Sequence, residues 1–282
     1  MTAEKLLEHQ GAILLAQSDG CAVWQFRNET GDGTMTTYNK LWFISESGKW
    51  KQGDHYVGCP EYGPFEWDFT HDSYRFTYFT NDIYYDGICP ECGEKADHYS
   101  YTEFGTNEKG VSVSATETLY GNEKVTEADP YRDAEWAEAN KSERIGIEET
   151  DIPTIILAEA SSAREGVKLL LDIYENYGCV YASGVFVCDK DEVWYVENCS
   201  GTQYVAIKLN NNMIFLEPNM AVIGRVDLDD ENVIASKDLI AVAKKAGTFV
   251  GDEAKNIIDF RASYARISEK MDQRMIDGLN YL

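Results

Sequence analysis

Three strand-length runs crowd between Gly184 and Leu209: Gly184 to Asp189, Glu192 to Asn198, and Gln203 to Leu209. Asp189-Lys-Asp-Glu192 joins the first two as a hairpin turn. Ahead of them Val111, Ser112, Val113, Ser114, Ala115 and Thr116 alternate apolar and small polar residues, which reads as a strand with two different faces. A helical region intervenes. Pro153 suits a first helical position after Asp151, and Ser162 with Glu165 makes a capping-box pattern. Val167, Leu170, Leu171 and Tyr174 carry the face of that helix to a stop at Gly178. Hairpin strands with helices grouped later imply an α+β fold, antiparallel sheet against helices.

Elsewhere the pattern is looser. Thr2 to Gln10 reads as a short helix, Ala22 to Arg27 and Thr34 to Tyr38 as strands around the turn Glu29 to Gly33. From Tyr38 to Tyr101 the chain is rich in Trp, Tyr, Phe and Gly, with short strands such as Lys40 to Ser45 and Tyr74 to Thr80. Residues 123–151 form a polar connection with helical turns around Asp133 to Lys141. A strand is expected over Met213 to Glu217, a helix from Ser236 to about Gly247, and a third helix from Asp252. There is no internal repeat and no low-complexity segment.

Length and charge narrow the classes. A chain of 282 residues with 44% apolar residues can bury one large core. Forty-nine acidic against 25 basic residues leave a net charge of −24, which argues against nucleic acid or an anionic membrane as partner. No run approaches the ~20 apolar residues of a membrane span. Gly11 to Ala16 is too short for a signal-peptide core, so a cytoplasmic location is the expectation. The seven cysteines are an odd set in a fairly large chain, which argues for thiols, a metal clip or a nucleophile over a disulfide framework.

Asn107, in the Gly-flanked turn before Val111, has an amide able to hold a developing oxyanion or simply to tie the turn. The block Gly-x-Asn-Glu-x-Gly-Val-x-x-Ser-Ala-Thr-Glu-Thr118 around it resembles the signature of the bacterial cysteine dipeptidases, dipeptidase A-like members of the N-terminal-nucleophile hydrolases. The likeness continues through Ala128-Asp-Pro130, Glu148 to Thr154, Ser161 to Glu165, and Asp189-Lys-Asp-Glu-Val-Trp-Tyr-Val-Glu197. It runs on through Pro218-Asn219, Ile223-Gly224, Asp227 to Asp230 and Ala235 to Leu239, covering roughly residues 38–266. It implies an αββα sandwich, here expected to be incomplete at both ends, with residues 1–37 as an atypical segment and 38–282 as the hydrolase domain. A short C-terminal part, lacking late strands or helices, would expose apolar surface and favour a homo-oligomer.

The resemblance also implies a reaction: hydrolysis of small unblocked peptides by a cysteine exposed as residue one. The thiol attacks and its own α-amine, with a pKa of ~7.7–8.0, serves as base, so no cofactor takes part. By motif position Asn219 is the first candidate for the oxyanion donor and Asn107 the second. Glu197 could bind a substrate ammonium or act as a structural carboxylate. Cys21 is the candidate nucleophile, but no Arg-Asn-x-Asp segment follows it, and the Gly20–Cys21 bond would have to be cleaved. The alternatives are a catalytically silent homologue that has lost its nucleophile, or an amidase acting on acylated amino acids. Cys89-Pro-Glu-Cys92 is a knuckle of the kind that binds structural zinc, with His98, Cys59, His55 and His71 as possible further ligands.

Overall fold

The computed structural model describes residues 13–18, 21–29, 35–43, 50–58, 65–82, 100–210, 212, 214–217, 219–267 and 273–281. The first eight strands are β1 (Ile13–Ser18), β2 (Cys21–Glu29), β3 (Met35–Phe43), β4 (His55–Val57), β5 (Glu66–Asp68), β6 (Phe76–Asp82), β7 (Ser100–Asn107) and β8 (Ser112–Thr116). Four helices follow: α1 (Glu123–Ala128), α2 (Ala134–Asn140), α3 (Ile152–Glu159) and α4 (Ala163–Asn176). Then come β9 (Gly184–Cys188), β10 (Val193–Asn198), β11 (Tyr204–Leu209), β12 (Arg225–Asp227) and β13 (Val233–Ala235). The chain continues through α5 (Leu239–Ala246), β14 (Gly251–Asp252), β15 (Ile257–Asp259), α6 (Phe260–Tyr264) and α7 (Gln273–Tyr281).

Ten strands make one sheet in the order β1-β2-β3-β6-β7-β8-β9-β10-β11-β13. Every neighbouring pair in it is antiparallel. The hairpins expected over residues 184–209 are β9, β10 and β11, and the α+β class is the one observed. The small sheets β12-β15-β14 and β4-β5 stand apart from it. Among the described residues no helix is long and apolar enough to cross a membrane.

The alternation along each strand divides the interior into two cores. Val113 and Ala115 of β8, Val185 and Val187 of β9, and Trp194 and Val196 of β10 pack against α3 and α4. Tyr195 of β10 and Val205 of β11 point the other way and meet Leu239 and Ala243 of α5, Ile258 of β15, and Phe260 and Tyr264 of α6. Period-2 side-chain direction is what permits one strand to serve both.

Helix α3 is buried from Ile152 to Ala158, so packing holds it in place more than any amphipathic stripe. Pro153 sits in its first turn, where no backbone N–H is missed. In α4 the Ser162 hydroxyl accepts from the Glu165 amide, as the capping pattern predicts. Glu165 reaches back one residue further than a standard box, to the Ser161 amide at 2.9 Å. The helix ends at Gly178, whose φ of 81° only glycine adopts freely.

α3 comes so close to β7 that position 105 has no room for a side chain. A Cβ there would press on the Thr77 carbonyl and stand 2.8 Å from Leu157 Cδ1. Gly105→Ala is therefore expected to cost about 1–3 kcal/mol. In a thermal melt that is a fall of about 3–10 °C in Tm.

The turn leading into α3 buries acid. Glu149 accepts from the Glu117 amide at 2.9 Å, while burial, then the charges of Glu103 and Glu117, push its carboxyl up to about 8. Below the unfolded value both states hold the proton. Between roughly 4.5 and 8 only the folded state does, so stability falls as pH rises through that window. Urea midpoints measured from pH 5 to 8.5 should decline in the wild type. The decline should shrink in Glu149→Gln by about 1–3 kcal/mol, a difference that cancels the general repulsion of an acidic chain.

Candidate functional site

Strand β10 carries Tyr195 and Glu197 on the face opposite Trp194 and Val196. Glu197 is completely buried. A carboxylate there must find donors, since a bare buried charge is prohibitive. It finds them in the backbone of a later segment: the Val222 amide donates to Oε1 at 2.6 Å, and the Ile223 amide reaches Oε1 at 3.3 Å and Oε2 at 3.2 Å. Burial still prevails and raises the carboxyl to about 7, the two amides drawing it down and the charge of Glu217 adding to the rise.

The same segment is held at its other end by rings. Phe215 lies 4.8 Å from Tyr195 and 5.8 Å, edge-on, from Phe186, and those two stand 4.6 Å apart. Gly184, paired in register with Glu197, keeps the site open, because a Cβ there would come within 2.5 Å of the Tyr195 hydroxyl. Between Phe215 and Val222 the chain bends, the Met220 amide donating to Glu217 Oε1 at 3.2 Å. Asn219 stands at the bend, solvent-exposed, with φ of 58°. Asparagine tolerates that left-handed conformation better than other non-glycine residues. The arrangement presents a neutral amide at a bend tied down on both sides.

Asn107 has another setting. It ends β7, is 4% exposed, and its amide is fully engaged. Its nitrogen donates to the carbonyls of Leu157 and Ala160, at 2.9 and 2.8 Å. Its oxygen accepts from the amides of Lys109 and Val111, both at 3.0 Å. The side chain thus closes the β7–β8 turn and receives the last carbonyls of α3.

Cys21 opens β2, opposite Ser18 of β1. Strand order separates β2 from β10 by six steps, about 29 Å along the sheet at ~4.8 Å per strand. It separates β2 from β7 by three steps, about 14 Å. Glu197 and the Asn219 segment come together; Cys21 does not join them, and Asn107 lies between. Three other cysteines, Cys179, Cys188 and Cys199, have thiols pushed up by burial, the reverse of what a nucleophile needs.

Cys89 and Cys92 lie outside the described residues, as do Cys59 and His98. His55 pairs with Asp68 at 2.8 Å, which holds its imidazole above the usual range. His71 contacts the carbonyls of Asp72 and Glu159. Among the described residues no group of three or more His, Cys, Asp or Glu side chains is arranged to hold a metal.

Sequence reasoning passed over Tyr195 and the Val222 and Ile223 amides. The alternation in Val193 to Glu197 could have put Tyr195 and Glu197 on one face. No local signal names an amide donor 25 residues away.

Residues 16–276 match the model of peptidase family C69. Over 156 residues the chain is 38% identical to a protein of Streptococcus pyogenes named probable dipeptidase B, a stretch covering 55% of this chain and 29% of the relative. Over 165 residues it is 38% identical to a probable dipeptidase of Salmonella dublin, covering 58% and 35%. The matched stretch spans about a third of those relatives' length. Two solved variants of conjugated bile acid hydrolase from Clostridium perfringens align over 86% of this chain and 58% of theirs, with TM-scores of 0.35 and 0.34 and identities of 15% and 14%.

Removing the Asn107 amide leaves two carbonyls and two N–H groups without their partner. Asn107→Ala should cost about 2–4 kcal/mol in chemical denaturation. Asn107→Asp should cost more, since it sets a carboxylate against two carbonyl oxygens.

Proposed function

The chain belongs to peptidase family C69, and on that premise we propose that it acts as a dipeptidase, hydrolysing small unblocked peptides in the cytoplasm through a cysteine thiol. The observation that carries the reading is the family match itself, which begins ahead of Cys21 and runs beyond Asn219. The two relatives' names, each a probable dipeptidase, support the substrate class.

In this reading cleavage before Cys21 removes β1, which among the described residues is an edge strand paired with β2. Losing an edge strand breaks one ladder and leaves the rest of the sheet hydrogen-bonded. The freed α-amine takes the thiol proton, and the thiolate attacks the peptide carbonyl. A neutral donor then holds the tetrahedral oxyanion, and Asn219 is the candidate by motif position; the Asn107 amide, buried and engaged on both its donor and acceptor sides, is already committed to the β7–β8 turn. The protonated amine passes its proton to the leaving nitrogen, and water completes hydrolysis of the thioester.

A second reading is supported by the strand order: a homologue that binds peptides without cleaving them, because Cys21 starts a strand six steps from the Asn219 segment. Intact-mass measurement and a panel of dipeptides, with and without a thiol-alkylating reagent, separate the two. The hydrolase reading expects a mature chain starting at Cys21, and turnover abolished by alkylation and by Cys21→Ala. Retention of the first twenty residues with no dipeptide turned over removes it and leaves the silent homologue. Turnover of N-acyl amino acids alone would make the chain an amidase.

A further inference from the structure

We propose that Glu197 is a positioning residue, holding the 219–223 segment by its Val222 and Ile223 amides so that Asn219 is presented at a fixed bend. The inference rests on the dipeptidase reading for the role of Asn219, but not for the clamp itself. The alternative for Glu197 is direct contact with a substrate ammonium.

Geometry separates the two. The carboxylate is completely buried, and both its oxygens accept from backbone N–H groups, one of them at 2.6 Å. An ammonium would have to displace those donors and enter a face closed by Ile223 and Tyr195, which are 2% and 0% exposed. Asn219 is three residues before the first clamped amide in sequence, with Met220 and Ala221 between it and Val222. Its φ of 58° is one that an untied asparagine would readily leave. With Phe215 anchored among Phe186 and Tyr195 on the other side, the bend has few degrees of freedom left.

The clamp responds to pH. A carboxylate accepts from N–H groups more strongly than a carboxylic acid does. The titratable groups facing Glu197 are Tyr195 on its own strand, Cys199 just beyond it and Glu217, none of them a cation. Burial and Glu217 bring its transition up to about 7. The segment should tighten as pH rises through that value. Overall stability moves the opposite way, because the folded state holds the proton that the unfolded state has already lost.

The test reads amide resonances and hydrogen exchange by NMR from pH 5 to 9. In the wild type the Val222 and Ile223 amides should shift together with a midpoint near 7. Both should lose that response in Glu197→Gln. In Glu197→Leu their exchange should quicken about tenfold or more, as for loss of a charge-assisted hydrogen bond, while the Trp194 and Val196 amides of β10 stay protected. The proposal is overturned if the two amides ignore pH in the wild type, a measurement that needs no variant to fold. It is also overturned if exchange across β10 rises as much as in the segment.

Dipeptide hydrolysis supplies the second arm. Glu197→Gln should lower kcat with KM little changed, and flatten the rise of activity across pH 7. A rise in KM confined to unblocked dipeptides, with N-acylated ones unaffected, would assign Glu197 to the ammonium and sink the proposal. If the wild type hydrolyses no dipeptide, the functional reading fails while the amide measurements still decide the clamp.

Discussion

Strand β10 is buried on both faces, and the rest of the molecule follows from how that burial is satisfied. Trp194 and Val196 serve the core beneath α3 and α4, Tyr195 and Glu197 the core beneath α5, α6 and β15. Three of those side chains are aromatic or aliphatic and gain from leaving water. Glu197 loses. A carboxyl raised from 4.5 to about 7 signals a net penalty on its charged form of about 3 kcal/mol even after its hydrogen bonds are counted. Without the Val222 and Ile223 amides the penalty would be larger, so the second core is complete only when the 219–223 segment is folded onto it. Burial on one strand thereby dictates the course of a loop some 25 residues downstream.

Local pattern made much of this legible. The hairpins of β9 to β11, the cap of α4 at Ser162 and its stop at Gly178 all follow from spacing and residue type. Where sequence reasoning missed, a distant contact had overridden a local preference. The expected strand Met213 to Glu217 is not a strand over its described residues, 214–217. β13 already occupies the free edge of β11, and Phe215 is drawn to Tyr195 and Phe186. Ser236 does not cap α5, which begins at Leu239. Its hydroxyl donates to Gln203 at 2.7 Å and accepts from the Tyr204 amide at 3.3 Å, so it is spent on the start of β11. Asp252 opens a single tight turn, Glu253–Lys255, and no longer helix.

Strand order was the least legible property. Nothing local to Cys21 says that its strand pairs near the sheet edge while the Glu197 strand lies six places away. The motifs give sequence order and chemistry; they do not give the adjacency on which a catalytic centre depends. The strand readings near residues 22–38 were sound in kind, since β2 and β3 form a hairpin there, yet their partners were decided elsewhere.

The two asparagines make the same point with opposite outcomes. Both stand at turns, and an amide at a turn is ambiguous between holding its own backbone and serving a ligand. What separates them is exposure: Asn107 is buried and Asn219 is open to solvent. Asn107 is met by carbonyls 50 and 53 residues away, which occupy its donors and bury it. An oxyanion donor must instead be oriented in advance and accessible to the reacting atom. Orientation requires the backbone beneath it to be fixed by other groups. Asn219 has that support from outside itself, from Glu197 on one side and Phe215 on the other, and its side chain lies at the solvent-exposed bend. A fully buried carboxylate that contributes poorly to stability is therefore best understood by what it keeps still.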